Sequence, residues 1–495
     1  MRLLKYERTI RMNTSKGLWN GFDSFIKKFL NFLVIAIFVF SIVSVPICMA
    51  VYMNGYSEIF SIRELVWVFP AIIYSAVVFL IGKLLQNKKD AVLILSMLLI
   101  EAVYVTFLLL FYDTKPCSDY RAIWEAAVEM SRGSFTDGLK GGSYMYIYNW
   151  QLGIAAFESV FIKIFGESFF ALKIFSAVIT AINNFLLYKC CCIKFNRKVG
   201  VYSYVIATMF IPWMLSVPQF TNHHIGFTLL LLSLLLIDKD KWYTYMAAGV
   251  LIGLWNVLRP MGAILVIAAF CMAVYNIIKN HNRKAVIDNL SKFVALFLAF
   301  VVVVAGFNIL FIKLGYTDIN LSSSRIPYFK LQKGLYGYNY PFDDYNKFGD
   351  IVLYNDAMKQ ELTEKVKTNP IGICTFVAEK MVRYCGMLDY QFEMTFDHNS
   401  EVWTQYPVKA FYSTSWFFYA FALIIAVTAF IKKRKENNVD IFTIFFIGNT
   451  LVYLFIEAFS SYRFESYLFI IMFMAVGFSM IGDKISNKNK GLEVK

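Results

Sequence analysis

The chain has 495 residues, 58% of them hydrophobic and 18% aromatic, with a mean hydropathy of +0.56. That level excludes an ordinary water-soluble domain, and the recurring long apolar runs define an all-α polytopic membrane protein. The net charge of +14 lies mostly between those runs. There it sets topology and meets anionic membrane lipids, so no nucleic acid partner is expected.

The first 28 residues carry seven bases and two acids, as suits an uncleaved anchor with a cytoplasmic N-terminus. Twelve spans are expected, at about 29–53, 66–85, 91–112, 168–188, 199–218, 223–237, 242–258, 261–278, 293–313, 411–431, 439–457 and 464–482. Residues 1–90 then form a tail and two extra spans. Residues 91–315 form a membrane core with a first outer loop at 113–167. Residues 316–410 make a large outer loop, and 411–495 three last spans and a tail.

Segment 146–165 is apolar enough to be a thirteenth span, but charge argues against it. If it crossed, the basic runs 189–198, 279–292, 432–440 and 483–495 would all face outward, with eleven net positive charges on the wrong side. Lying flat on the outer face, it keeps those runs and both termini in the cytoplasm.

The first outer loop opens with Pro116, which disfavours helix before it. Ser118 can cap a helix from 119 to about 131, in which Tyr120, Ile123, Trp124, Ala127 and Val128 make an apolar stripe. Asp119 falls in its first turn. A carboxylate there stays ionised, which suits a general base; the plainer reading is a solvated cap residue. Asp113 lies just upstream. In the late loop, Pro370 and Gly386 bracket another surface helix.

Other polar residues mark the apolar runs. Arg259-Pro260 ends the seventh span, where the arginine either faces a polar cavity or lipid phosphate, or snorkels. Glu457 and Arg463, with Tyr462 between, can pair or flank one anion. Glu101, Asn183 and Asn184 are intramembrane, with helix–helix hydrogen bonding as the plain alternative. His223 and His224 are adjacent, so their side chains diverge by about 100° on a helix and suit a polar turn better than a metal. The eight cysteines show no metal-ligand spacing.

Several short motifs follow one another in order. They are Pro116-Cys117-Ser118-Asp119-Tyr120, then Tyr148-Asn149-Trp150-Gln151-Leu152-Gly153 running to Phe165-Gly166, then Ala171-Leu172-Lys173-Ile174. Asn256-Val257-Leu258-Arg259-Pro260 comes next, and Glu457 with Tyr462-Arg463-Phe464 last. In this order and topology the chain resembles the GT-C superfamily of membrane glycosyltransferases, which includes protein O-mannosyltransferases and bacterial lipid A aminoarabinose transferases. It departs from the pattern in its two extra leading spans, in Tyr120 where an acid follows the first aspartate, and in Asn149 where proline is usual.

The resemblance implies an inverting transfer on the outer face of the cell membrane. The donor is a polyprenyl-phosphate-linked sugar, on undecaprenyl phosphate in a bacterium, and the acceptor a cell-envelope glycan, lipid or protein. It implies Asp119 as the catalytic carboxylate, with Asp113 just upstream as a further candidate from the residues themselves; Arg259 and Arg463, and beside them Lys140, are the cations for the donor phosphate. Tyr120, Tyr148, Trp150, Gln151, Glu457, Tyr462, His223 and His224 would line the substrate. No cofactor is required, although some relatives use a divalent metal held by two acids. The alternatives are a polysaccharide polymerase or ligase, with its essential groups in the late loop near His398, and a secondary transporter, which would want inverted repeats.

Overall fold

The computed structural model describes residues 2–49, 62–111, 116, 118–218, 220–280, 282–337, 349–386, 406–433 and 439–492. Among them are nineteen α-helices and no strand. The first three are α1 (Arg2–Ile47), α2 (Val68–Leu85) and α3 (Asp90–Phe111). The first loop holds α4 (Ser118–Arg132), α5 (Tyr144–Ile147) and α6 (Leu152–Phe165). The middle of the chain runs through α7 (Phe169–Lys194), α8 (Arg197–Thr208), α9 (Ile211–Met214), α10 (Asn222–Asp238), α11 (Trp242–Leu258), α12 (Gly262–Asn280) and α13 (Arg283–Lys313). The late loop carries α14 (Phe329–Leu335), α15 (Ile351–Thr368) and α16 (Pro370–Gly386). The last helices are α17 (Tyr406–Lys433), α18 (Ile441–Val452) and α19 (Tyr467–Leu492).

Eight helical stretches among the described residues are long and apolar enough to cross a membrane, and α10, α11 and α18 are shorter apolar helices. The chain is a polytopic all-α membrane protein. One expected span is not a single helix. Over 199–218, α8 stops at Thr208, Phe210 is extended (φ −79°, ψ 97°), and Pro212 opens the short α9. Pro212 lies in the first turn of α9; it has no N–H to donate to Thr208 O and its ring would clash with that carbonyl, so one continuous helix cannot run through it.

The bundle is organised about α19, whose residues from Tyr467 to Val476 are all buried. It packs against α8 and α17, and Phe446 of α18 stacks on Phe469 at 4.4 Å. By contrast α2, α3 and α13 present apolar side chains such as Leu84, Leu99 and Val302 outward, as helices facing lipid do. Glu101, Asn183 and Asn184 bond between helices. Asn184 donates to Glu101 Oε2 at 3.2 Å, and Asn183 donates to His224 O and accepts from Thr228.

Helix α6 has 14 residues, about 21 Å at 1.5 Å per residue, too short for a hydrocarbon core of about 30 Å. It lies against α4 and touches α11. At Gly153 a Cβ would come within 1.9 Å of Val257 O, so α6 and the end of α11 meet backbone to backbone. That close approach brings Trp150 and Gln151 beside the Arg259 turn. Helix α16 runs from Pro370 to Gly386, the bounds its end residues predict.

Candidate active site

The two large loops meet over one end of the bundle and are stitched together by side chains. Asn149, fully buried, donates to the carbonyls of Asn320 and Ser323, both at 2.9 Å. The residue that departs from the usual proline is therefore the anchor of the early loop on the late one. Arg325 donates to Tyr146 O at 3.0 Å, lies 3.9 Å from the Tyr146 ring centroid, and pairs with Asp318.

Under this seam a cleft forms around Asp119. Ser118 precedes it in the left-handed region (φ +51°), a conformation that costs a non-glycine residue about 1–2 kcal/mol. Asp119 is exposed at its own surface, yet protein surrounds it on most sides. A cleft produces that combination. The enclosing protein raises its pKa above the ordinary 3.8; Lys330 and Lys333 pull it down, Glu457 pushes it up, and the hydroxyl of Tyr144 donates to it.

Opposite Asp119 stands a charge cluster that the sequence reading does not contain. Glu457, buried in the turn before the final helix, accepts from Lys330 at 2.5 Å and from Lys333 at 2.7 Å. Burial alone would raise the Glu457 pKa, but the two ammonium groups more than offset this and hold it below 4.5. Both lysines belong to α14. At i and i+3 they share one helix face, which turns both toward the same carboxylate.

One wall of the cleft is aromatic. Tyr144 and Tyr148 lie 4.9 Å apart by centroid, Tyr148 and Trp150 5.3 Å, and Lys330 Nζ sits 5.7 Å from the Trp150 ring. Gln151 is half-buried beside them, and its Oε1 has no hydrogen-bond partner among the described residues. Tyr462 closes the far side, stacked on Tyr453 at 5.6 Å.

Behind Tyr462 is a second ion pair. Arg259 caps α11, with its Nε 2.9 Å from Glu465 Oε1 and its Nη1 2.9 Å from His223 Nε2. Its guanidinium also lies 5.8 Å from the Tyr462 ring, and Tyr120 is close enough to feel its charge. Glu465 is fully buried at the start of the last apolar run. The signal for it was an acid inside an apolar segment, which demands a buried cation nearby.

The remaining expected residues lie elsewhere. His224 is locked in the bundle, with Nδ1 3.1 Å from Thr180 Oγ1 and Nε2 3.2 Å from Ser216 O. Arg463 does not pair with Glu457: its Nη1 donates to Cys385 O at 2.6 Å, and its guanidinium lies 4.7 Å from the Tyr419 ring. Lys140 is exposed in the turn before α5. Asp113 and His398 lie outside the described residues.

These features define a membrane-embedded helical protein whose capped end brings together Asp119, a carboxylate-bound lysine pair and an aromatic wall. Within it, residues 152–307 match the family model of dolichyl-phosphate-mannose-protein mannosyltransferases. That segment runs from α6 through α13 and includes Arg259 but neither Asp119 nor the lysines. The match supports a membrane glycosyltransferase of the GT-C type. No curated protein and no solved structure matches the chain.

Proposed function

We propose that the chain transfers a sugar from a polyprenyl-phosphate-linked donor to an acceptor on the outer face of the cell membrane, with inversion. The observation that carries this reading is Asp119 facing Lys330 and Lys333 across one cleft. A base and an anion site near one another fit a displacement at the anomeric carbon. The acceptor hydroxyl attacks opposite the lipid phosphate, the bond from the anomeric carbon to the phosphate oxygen breaks, and Asp119 takes the hydroxyl proton. One carboxylate suffices for such an inversion.

The leaving phosphate gains negative charge as that bond breaks, and fixed cations there lower the barrier. Lys330 and Lys333 are assigned this role in place of the arginines. Glu457 balances only one of the two lysine charges, whereas Arg259 is matched by Glu465 and Arg463 is turned away to Cys385 O. Tyr148 and Trp150 offer the faces on which a sugar ring stacks. An essential acid in the early loop favours transfer over the polymerase reading, which puts it in the late loop.

The direct test is a panel of undecaprenyl-phosphate sugars with purified protein, assayed with and without EDTA beside Asp119→Asn. Lipid release that Asp119→Asn abolishes supports the reading. Full turnover by Asp119→Asn at normal expression refutes Asp119 as the base.

A further inference from the structure

A third lysine sits behind the cleft and touches no carboxylate among the described residues. Lys380, on α16, is buried. Its Nζ donates to Gly334 O, to Leu454 O at 3.1 Å and to Ile456 O at 2.9 Å. An ammonium has three N–H donors, and here each meets a backbone carbonyl.

Those carbonyls are placed tellingly. Gly334 follows Lys333, and Ile456 precedes Glu457. One ammonium therefore fixes the backbone on both sides of the Lys333–Glu457 ion pair. The two segments also meet without side chains between them: a Cβ on Gly334 would lie 2.1 Å from Phe455 O. Carbonyls crowded so closely repel unless a cation lies among them. The turn follows the C-terminus of α18, the negative end of that helix dipole, which adds to the attraction. Burial pushes the Lys380 pKa down to about 8, while Glu457 pulls it upward.

We propose that Lys380 is a positioning residue, an internal ammonium clip seated against Gly334, which sets the spacing of Lys330 and Lys333 from Glu457 and so tunes the cleft for a lipid phosphate. This rests on the reading of the two lysines as the phosphate site.

The experiment measures binding of undecaprenyl phosphate to the purified full chain by intrinsic tryptophan fluorescence, for Lys380→Met, Lys380→Arg, Gly334→Ala and Lys330→Met, with thermal unfolding alongside. Lys330→Met is expected to weaken binding about 10-fold or more. Lys380→Met is expected to weaken it to a similar extent, to add little in the Lys330→Met background, and to be partly restored as Lys380→Arg. Gly334→Ala, which opens the same seat from the other side, is expected to behave like Lys380→Met and serves if that variant does not fold. Wild-type affinity in Lys380→Met or Gly334→Ala, with Lys330→Met impaired, overturns the clip and leaves the phosphate site standing. Wild-type affinity in Lys330→Met removes both.

Discussion

Lys333 donates to Glu457 Oε1 at 2.7 Å, although 124 residues separate them in the chain. Lys330 reaches the other oxygen of the same carboxylate. The carboxylate holds two flexible ammonium groups on one side of the cleft before any ligand arrives, which lowers the entropy lost when an anion binds.

The coupling is measurable. Lys333→Met and Glu457→Gln, separately and together, are expected to give a double-mutant coupling energy of about 1–3 kcal/mol in thermal stability. Glu457 is almost fully buried, so stranding its charge is the costly step. Strict additivity would show that the pair is not formed.

Activity should respond to Asp119 more steeply than stability does. Asp119→Asn keeps the shape and loses the proton acceptor, so turnover should fall by roughly 10²–10⁴-fold. Unfolding temperature and affinity for undecaprenyl phosphate should change little. A parallel loss of both would make Asp119 structural.

The pH profile carries the sign of the surrounding charges. The Asp119 pKa is raised from 3.8, and a base must be ionised, so kcat/KM should climb with pH through that raised value. Lys330 lowers this pKa and Glu457 raises it. Lys330→Met should therefore move the acid limb to higher pH, and Glu457→Gln to lower pH. Movement in the opposite senses would mean another group sets the limb.

Ser118 offers a backbone test. Its φ of +51° is open to glycine and resisted by β-branched residues. Ser118→Val is expected to unfold at lower temperature than Ser118→Gly, by about 1–2 kcal/mol in stability, and to lose turnover by displacing Asp119. Equal behaviour of the two variants would remove any role for that strain.

His224 predicts the reverse pattern. Its ring nitrogens meet Thr180 and Ser216 O inside the bundle. His224→Phe should cost about 1–3 kcal/mol by stranding those partners, as read by thermal unfolding in detergent, with turnover per folded molecule unchanged. A selective loss of turnover would return His224 to the cleft.

What was legible in the sequence follows the physics of each segment. The apolar runs, the helix from Ser118 and the helix from Pro370 to Gly386 were legible because hydropathy, spacing and proline act locally. Asp119, Trp150, Arg259, Glu457 and Tyr462 were legible as residues, but their partners were not. Lys330 and Lys333 sit in a helix of seven residues, too short to show a periodicity, in a late loop with lysine at several other positions. Lys380 gave no signal at all, because its partners are backbone carbonyls. The Arg259–Glu465 pair was half visible, and the run at 199–218 misled because hydropathy does not register the break at Phe210.

The seat of Gly334 on the turn at Phe455 also bears on the order in which the protein is built. Synthesis runs from the N-terminus, so the early loop, the bundle through α13 and the lysines of α14 all exist before Glu457 is made. Until that turn and the final helix have been inserted, Lys330 and Lys333 have no carboxylate to rest on and α14 has no floor. The half-made protein is thus a cation-bearing loop above an open bundle, and the cleft closes only with the last helical hairpin. Premature release of the chain would leave a membrane-inserted product in which Glu457 and its two lysines never meet.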